Sequence, residues 1–374
     1  YFTHSRNSSM GQATFTSMNY FTLEKWLEIE MRDRMHPLIA IRNYHNKIDD
    51  RQFGVKDYSN YMRLPAFQVR QRLMRLAQDG FVFYDLDSDT VTINDKLFDY
   101  IQARIGKIDY DVIQIESSTN TASQHNAILN LNNMNMQING VGRTFVSDSQ
   151  NVVLYPDADG VVLKENRNFD FGGAVTGGLF TFYGDSLSFS YEDFSITMDR
   201  IDSLHMQYKT DQKNQYGQKI LANVQNTVND LTGVLHIDHP NNKSGKKNYP
   251  KYPIFEGKKK SYVYYDHLFN GPYKRENFYF ELYPFTMDSL NNFNPENMKF
   301  KGMFHSALIF PPFEETLELQ PDNSLGFEKT TGESGLPLYE GKGTYYRKIH
   351  MSNQGLQGEG KMEYLTADLQ TDDI

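Results

Sequence analysis

GLFTFYGDSLSFSYEDFSITMD, residues 178 to 199, alternates along its whole length. Thr181 separates Phe180 from Phe182, Ser188 separates Leu187 from Phe189, and Thr197 separates Ile196 from Met198. Successive side chains of an extended strand point to opposite faces, so each run puts apolar groups on one side and a hydroxyl on the other. The pattern predicts three half-buried strands separated by short polar turns.

The reading extends in both directions. DVIQIES, NAILNLNNMNMQING, RTFVSD, NVVLYP and GVVLKE precede the stretch, between residues 111 and 165. NFYFELYPFTM, MKFKGMFHSALI, TLELQPD, SLGFEK, KGTYYRKIHMS and LQGEGKMEYLTA follow it from residue 277 onward. Short strands at regular spacing, broken by Asn, Asp and Gly, are the mark of a sandwich, barrel or β-solenoid. Strands and helices do not alternate, which argues against a doubly wound α/β fold. One segment, 215–231, reads equally as a helix or as an Asn-rich strand pair. DFSITMDRIDSL (193–204) echoes YPFTMDSLNNF (283–293), which suggests repeated β-units.

Residues 1–110 differ. Phe21, Trp26, Ile29 and Met35 have loose helical spacing, with Thr22 as N-cap and Pro37 as a stop. A second helix is predicted through HPLIAIRNYHNKI. A third runs from Pro65 to Gln78 on a stripe of Val69, Leu73, Leu76 and Ala77, ending at Gly80. FVFYDL and TVTI flank an Asp87-Ser88-Asp89 turn, and NDKLFDYIQARIG closes the module with a helix capped by Asn94. Helix, hairpin and helix in this order read as winged-helix-like. DNA reading is disfavoured: Arg70, Arg72 and Arg75 lie at about 0°, 200° and 140° around the helix. The hairpin turn also carries aspartates where phosphate contact needs cations.

The expected fold is therefore mainly β: an elongated β-solenoid or stacked β-sheet body with a small N-terminal α-helical, winged-helix-like module. The expected divisions are 1–110 helical, 111–237 β-rich, 238–275 a Lys/Tyr/Pro-rich loop, and 276–374 β-rich. Bulk composition agrees. Among 374 residues, 25 Tyr and 26 Phe carry much of the apolar load, and aromatics suit pleated surfaces. A net charge of −9 argues against a general nucleic-acid binder. The absence of cysteine removes disulfides, thiol nucleophiles and Cys-ligated zinc. Neither YFTHSRNSSM nor LQTDDI reads as a natural domain terminus, so the chain reads as part of a longer protein.

One segment opposes the net charge. Seven lysines lie between Lys243 and Lys260, within a stretch expected to be a long loop with a short edge strand at SYVYYD. Lys246, Lys247, Tyr249, Lys258, Lys259, Lys260, Tyr262 and Tyr264 are the candidate partner-binding residues. Charge and ring stacking together can hold a polyanion or an acidic partner; the plain alternative is a solvated loop whose lysines protect an edge.

Catalytic and metal sites are not expected. His236, Asp238 and His239 in HIDHP converge on a metal only if Pro240 turns the strand, because i and i+3 point apart along a strand. His205 and His267 are the nearest further imidazoles. Lys260, Tyr262 and Tyr264 share one strand face and could serve a polysaccharide lyase. FGGAVTGGLF lacks the following helix that a phosphate loop needs, so its glycines read as turns or bulges. No cofactor is expected.

LTGVLHIDHPNNKSGKKNYPKYPIFEGKKKSYVYYD, LIFPPFEETLELQPDNSLGF, GLFTFYGDSLSFSYEDF and GLQGEGKMEYLTA together resemble a family of very large, repetitive cell-envelope proteins of gram-negative bacteria. The resemblance covers about residue 60 to the C-terminus and carries no catalytic residues. It implies an exported, non-enzymatic scaffold or protein–protein interaction region in the periplasm, outer membrane or cell surface. Its partners would be other envelope proteins, further domains of the same longer chain, or an anionic glycan; no nucleic acid and no membrane-spanning segment are expected. Two alternatives remain: a glycan-binding or glycan-cleaving β-solenoid, and a lipid-carrying β-groove bridging the envelope.

Overall fold

The computed structural model describes residues 11–17, 21–30, 35–119 and 125–371. It divides into two compact units. One comprises residues 17–112 with 241–244, and the other holds the remainder. The first strand, β1 (Gln12–Thr16), belongs to the β unit although it lies within the 1–110 span expected to be helical.

The smaller unit begins with α1 (Leu23–Glu30), whose Lys25 amide donates to Thr22 Oγ1 at 3.1 Å. The stretch 31–34, part of the first expected helix, lies outside the described residues. Next come α2 (Pro37–Ile48), β2 (Gln52–Gly54), α3 (Val55–Met62) and α4 (Ala66–Gln78). A hairpin of β3 (Val82–Asp85) and β4 (Thr90–Ile93) then leads into α5 (Asp95–Arg104). The three strands form one small sheet in the order β2-β4-β3. Its core is continuous: Val69, Leu73 and Leu76 of α4 pack with Leu38, Ile41, Val55, Phe81, Val91, Leu97 and Ile101. The helix α3 was not anticipated, because Val55 and Tyr58 give only one apolar repeat before the chain turns at Arg63.

In the β unit, β5 (Gln114–Ser118) pairs with β1. Then follow β6 (Ala127–Leu129), β7 (Met136–Ile138), β8 (Thr144–Ser147) and β9 (Val152–Leu163). The opening stretch supplies β11 (Phe180–Ser190), between β10 (Phe169–Gly177) and the long β12 (Ser195–Lys213). Residues 215–231 resolve as strands, β13 (Lys219–Asn223) and the start of β14 (Val228–His236). The presumed Lys/Tyr loop contains β15 (Ile254–Gly257) and β16 (Ser261–Tyr264). After it come β17 (Phe278–Leu282), β18 (Thr286–Met287), β19 (Lys299–Ser306) and β20 (Phe313–Leu319). The last strands are β21 (Leu325–Thr330), β22 (Leu336–Leu338), β23 (Gly343–Ser352), β24 (Gly355–Tyr364) and β25 (Ala367–Thr371).

Every pairing between these strands is antiparallel and mostly links neighbours in sequence. The rungs of a β-helix pair in parallel. The coiled β-solenoid is therefore corrected to an antiparallel meander. The strands follow one another in a ring-like order that closes the sheet into a barrel.

Alternation sets the two faces. Phe169, Phe189, Ile196, Leu235, Phe255 and Met287 form one cross-strand row on the inner face. The sheet curls onto this face. Phe182 of β11 meets Phe255 of β15 at 4.8 Å although β12 and β14 intervene, and Phe280 of β17 reaches Phe327 of β21 at 6.2 Å. The β12–β14 connection also docks on a distant turn, where Asn226 Oδ1 accepts from the Leu325 amide at 2.8 Å. In FGGAVTGGLF the register shifts between Phe171 and Gly173, which has φ +120°; this is a β-bulge, as the sequence pattern predicts.

Candidate functional site

The outer face of the same meander carries the candidate surface. One register row runs Tyr155, Ala174, Tyr183, Ser203, Asn229, Tyr262, Glu281, Met303 and Glu314 across successive strands. Beside it Tyr264 pairs with Tyr279, and Tyr279 with His305. Alternation on β16 buries Ser261 and Val263 and turns Tyr262 and Tyr264 outward. On β17 it buries Phe278 and Phe280 and turns out Tyr279 and Glu281.

The rings pack on one another. Tyr262 stacks with Tyr264 at 5.9 Å, Tyr279 stacks with His305 at 4.5 Å, and the Arg275 guanidinium lies 3.8 Å over Tyr264. The Tyr264 hydroxyl donates to Asp230 at 3.1 Å, and Tyr283 donates to Glu314 at 2.8 Å. Burial, reinforced by the bond to Asp230, pushes the Tyr264 phenol up to about 12. Burial also raises Tyr262. Both shifts oppose formation of the phenolate base that a lyase would need.

The structure separates the eight candidate residues into two groups. Lys246, Lys247 and Tyr249 lie in coil, where Tyr249 stacks on His239 at 4.9 Å. Lys258 and Lys260 are tied into the sheet: Lys258 pairs with Glu256 at 2.5 Å and Lys260 with Glu281 at 2.6 Å. Lys259 is exposed between them. SYVYYD is not an edge strand, because Tyr262 pairs with Asn229 on one side and Glu281 on the other. The loop reading failed because the backbone partners of β15 and β16 lie 15 or more residues away. Arg275, Tyr279, His305 and Asp230 were missed for the same reason; alternation in NFYFELY marks Tyr279 as outward but cannot name its neighbours.

The HIDHP residues part company. His236 approaches Glu256 at 3.6 Å, while buried Asp238 accepts from Gln150 Nε2 at 3.1 Å and from the His239 amide at 2.7 Å. Among the described residues no three His, Asp or Glu groups are placed to hold a metal ion.

In the helical unit the acidic turn is engaged internally. Arg70 Nε and Nη2 donate to the two oxygens of Asp89 at 3.1 and 2.6 Å, and the Tyr84 hydroxyl donates to Asp89 at 2.6 Å. The bond from Arg70, then that from Tyr84, holds the Asp89 carboxyl below its ordinary value. A depressed folded value stabilises the fold above the unfolded carboxylate pKa, and that contribution is lost as pH falls through the folded value. Asp89→Asn is therefore expected to lower the thermal midpoint of the helical unit at neutral pH. The deficit relative to wild type should shrink as the pH drops below about 4. Asn tolerates the left-handed backbone at this position (φ 53°), so the loss reports the charge. A deficit independent of pH would contradict this account.

No protein-family model, curated protein or solved structure matches the chain. Among the described residues no helix is long and apolar enough to cross a membrane, which leaves strands unaddressed.

Proposed function

We propose that this chain is a non-enzymatic section of a large envelope or secreted protein of a gram-negative bacterium, acting as a scaffold through protein–protein contact. The observation that carries the reading is the outer tyrosine face. Tyr262, Tyr264, Tyr279 and Arg275 are held in place by ring packing, and the Tyr264 hydroxyl is bonded to Asp230. Pre-positioned Tyr and Arg are the residues that dominate protein interfaces, because little side-chain entropy remains to be lost on binding. The mixed charge favours a protein partner over a polyanion, since Lys258 and Lys260 are already neutralised by Glu256 and Glu281.

Two alternatives are less well supported. An aromatic row beside carboxylates would suit a glycan, but these ring faces are occupied by one another and by Arg275. A lipid groove needs an open apolar interior, whereas the inner face is filled by phenylalanines that meet across the sheet.

A photo-reactive residue at position 279, expressed in the native full-length protein, is expected to trap a protein from the envelope fraction of intact cells. Tyr264→Ala together with Arg275→Ala should weaken that contact about 30-fold, corresponding to loss of a ~2 kcal/mol hot spot. Lys258→Gln, Lys259→Gln and Lys260→Gln together should weaken it less than the pair does. Adducts to lipopolysaccharide alone would replace this reading with the glycan one. Recovery of the protein only from the cytosol would remove the envelope assignment.

A further inference from the structure

Alternation breaks on β23, and it breaks beside a cavity. Tyr345 and Ile349 are buried, yet the three residues between them are not: Tyr346 is half-buried, and Arg347 and Lys348 are exposed. A regular strand would turn Arg347 to the side of Tyr345 and Ile349. Instead Arg347 has φ +85°, a left-handed backbone that residues other than glycine seldom adopt.

Its neighbours hold this kink in place. The Thr331 amide donates to the Arg347 carbonyl at 2.7 Å, and Thr331 Oγ1 accepts from the Arg347 amide at 2.9 Å. The Tyr345 hydroxyl donates to the Lys348 carbonyl at 2.9 Å. On β24, Gly360 pairs with Arg347, and a Cβ on it would stand 2.8 Å from Arg347 Cβ. Backbone strain fixed by several specific contacts gathers at functional sites.

The kink forms the floor of a notch. β21 pairs with β23 as far as Thr330 with Lys348, and β22 resumes the ladder at Leu336 with Tyr345. Between them the chain turns out of the sheet, closed by the Gly335 amide on the Gly332 carbonyl at 2.9 Å. The space left is about 370 Å³, within the range of small-molecule sites. Its lining includes Glu333 and Glu359, Arg347 and Lys348, and Tyr346. The four charges cancel. Lys348 is engaged by Glu328 at 2.9 Å, but Arg347 stands 3.9 Å from Glu359, beyond hydrogen-bond reach. Unlike the rings of the tyrosine face, Tyr346 has no second ring or cation packed on it among the described residues.

We propose that this notch binds a neutral sugar unit of an uncharged glycan. A hydroxyl both donates and accepts. Adjacent sugar hydroxyls can therefore accept from the Arg347 fork and donate to Glu359, filling the gap between the two side chains. The apolar side of the sugar ring rests on Tyr346. An anion would meet Glu333 and Glu359, and a cation would meet Arg347 and Lys348. The notch shares no residue with the tyrosine face, so its failure leaves the scaffold reading standing.

Cellobiose and maltose are the probes, with inorganic phosphate and glycylglycine as charged alternatives. In saturation-transfer NMR titrations, at least one sugar is expected to bind the full chain with a dissociation constant of about 1 mM. Because the ligand is neutral, that affinity should be equal at about 0.1 M and about 1 M salt. Arg347→Gly should weaken it at least about tenfold while keeping the thermal midpoint within about 3 °C, since glycine adopts this backbone freely. Glu359→Gln, which keeps the side-chain shape and removes the charge, should weaken it at least about threefold. Failure of both sugars to bind at about 10 mM would overturn the proposal. So would wild-type affinity in the two variants. Phosphate or glycylglycine bound more tightly than either sugar would also overturn it, assigning the notch to an anion or a zwitterion.

Discussion

Phe304→Ala is expected to remove about 3 to 5 kcal/mol from the stability of the β unit. Phe304 is fully buried on β19, with ring contacts to Phe278 at 5.3 Å, Phe313 at 5.5 Å and Phe327 at 4.9 Å. These rings come from β17, β20 and β21, so the side chain joins strands that sequence separation would leave independent. Truncation leaves a cavity lined by rings on three strands, and rigid rings collapse poorly into a void. Phe304→Leu keeps most of the volume and should cost under about 1.5 kcal/mol. Urea midpoints of the full chain, followed by far-ultraviolet circular dichroism, measure both. A loss below about 1 kcal/mol for the alanine variant would mean that this ring cluster does not organise the core.

Gly302→Ala is the second large effect, although it adds only one methyl group. Gly302 lies on the inner face of β19 between Phe300 and Phe304, and its missing side chain makes room for the Phe280 ring. A Cβ there would stand 2.0 Å from the Glu281 carbonyl oxygen and 2.6 Å from Phe280 Cε1. The carbonyl belongs to the adjoining strand and cannot retreat without disturbing the β17–β19 ladder. Overpacking of about 1 to 3 kcal/mol follows. Phe280→Leu in the same chain should not rescue it, because the closer clash is with backbone. Gly332→Ala is the control: no atom lies within 4 Å of its Cβ position, so a change within about 0.5 kcal/mol is expected. Equal behaviour of the two glycine variants in thermal unfolding would refute the packing argument.

Much of this was written locally. The two-residue period of GLFTFYGDSLSFSYEDFSITMD sorted Phe180, Phe182, Leu187, Phe189, Ile196 and Met198 to the buried side, and the structure buries all six. The stripe of Val69, Leu73 and Leu76 was equally legible, and all three are buried. Segments without a clear period were not. In 215–231, Asn and Gln dilute the alternation, and pairing of Tyr208 with Ala222 and of Leu204 with Val228 makes it strand.

The sequence by itself determined the mainly-β character and, within each strand, which side chains face inward, because both follow from the chain's own pleat. Tertiary structure alone decided the partners. Tyr264 meets Tyr279 across one ladder and Tyr279 meets His305 across the next; Lys260 finds Glu281, and Arg275 folds over Tyr264. The end of the basic segment, with Lys258, Lys260, Tyr262 and Tyr264, thus became part of a charge-paired, ring-packed face. The physical reason is that alternation fixes a side and leaves the register free. Register is chosen by non-local burial, since a slip of one residue would turn every phenylalanine of a strand out to water.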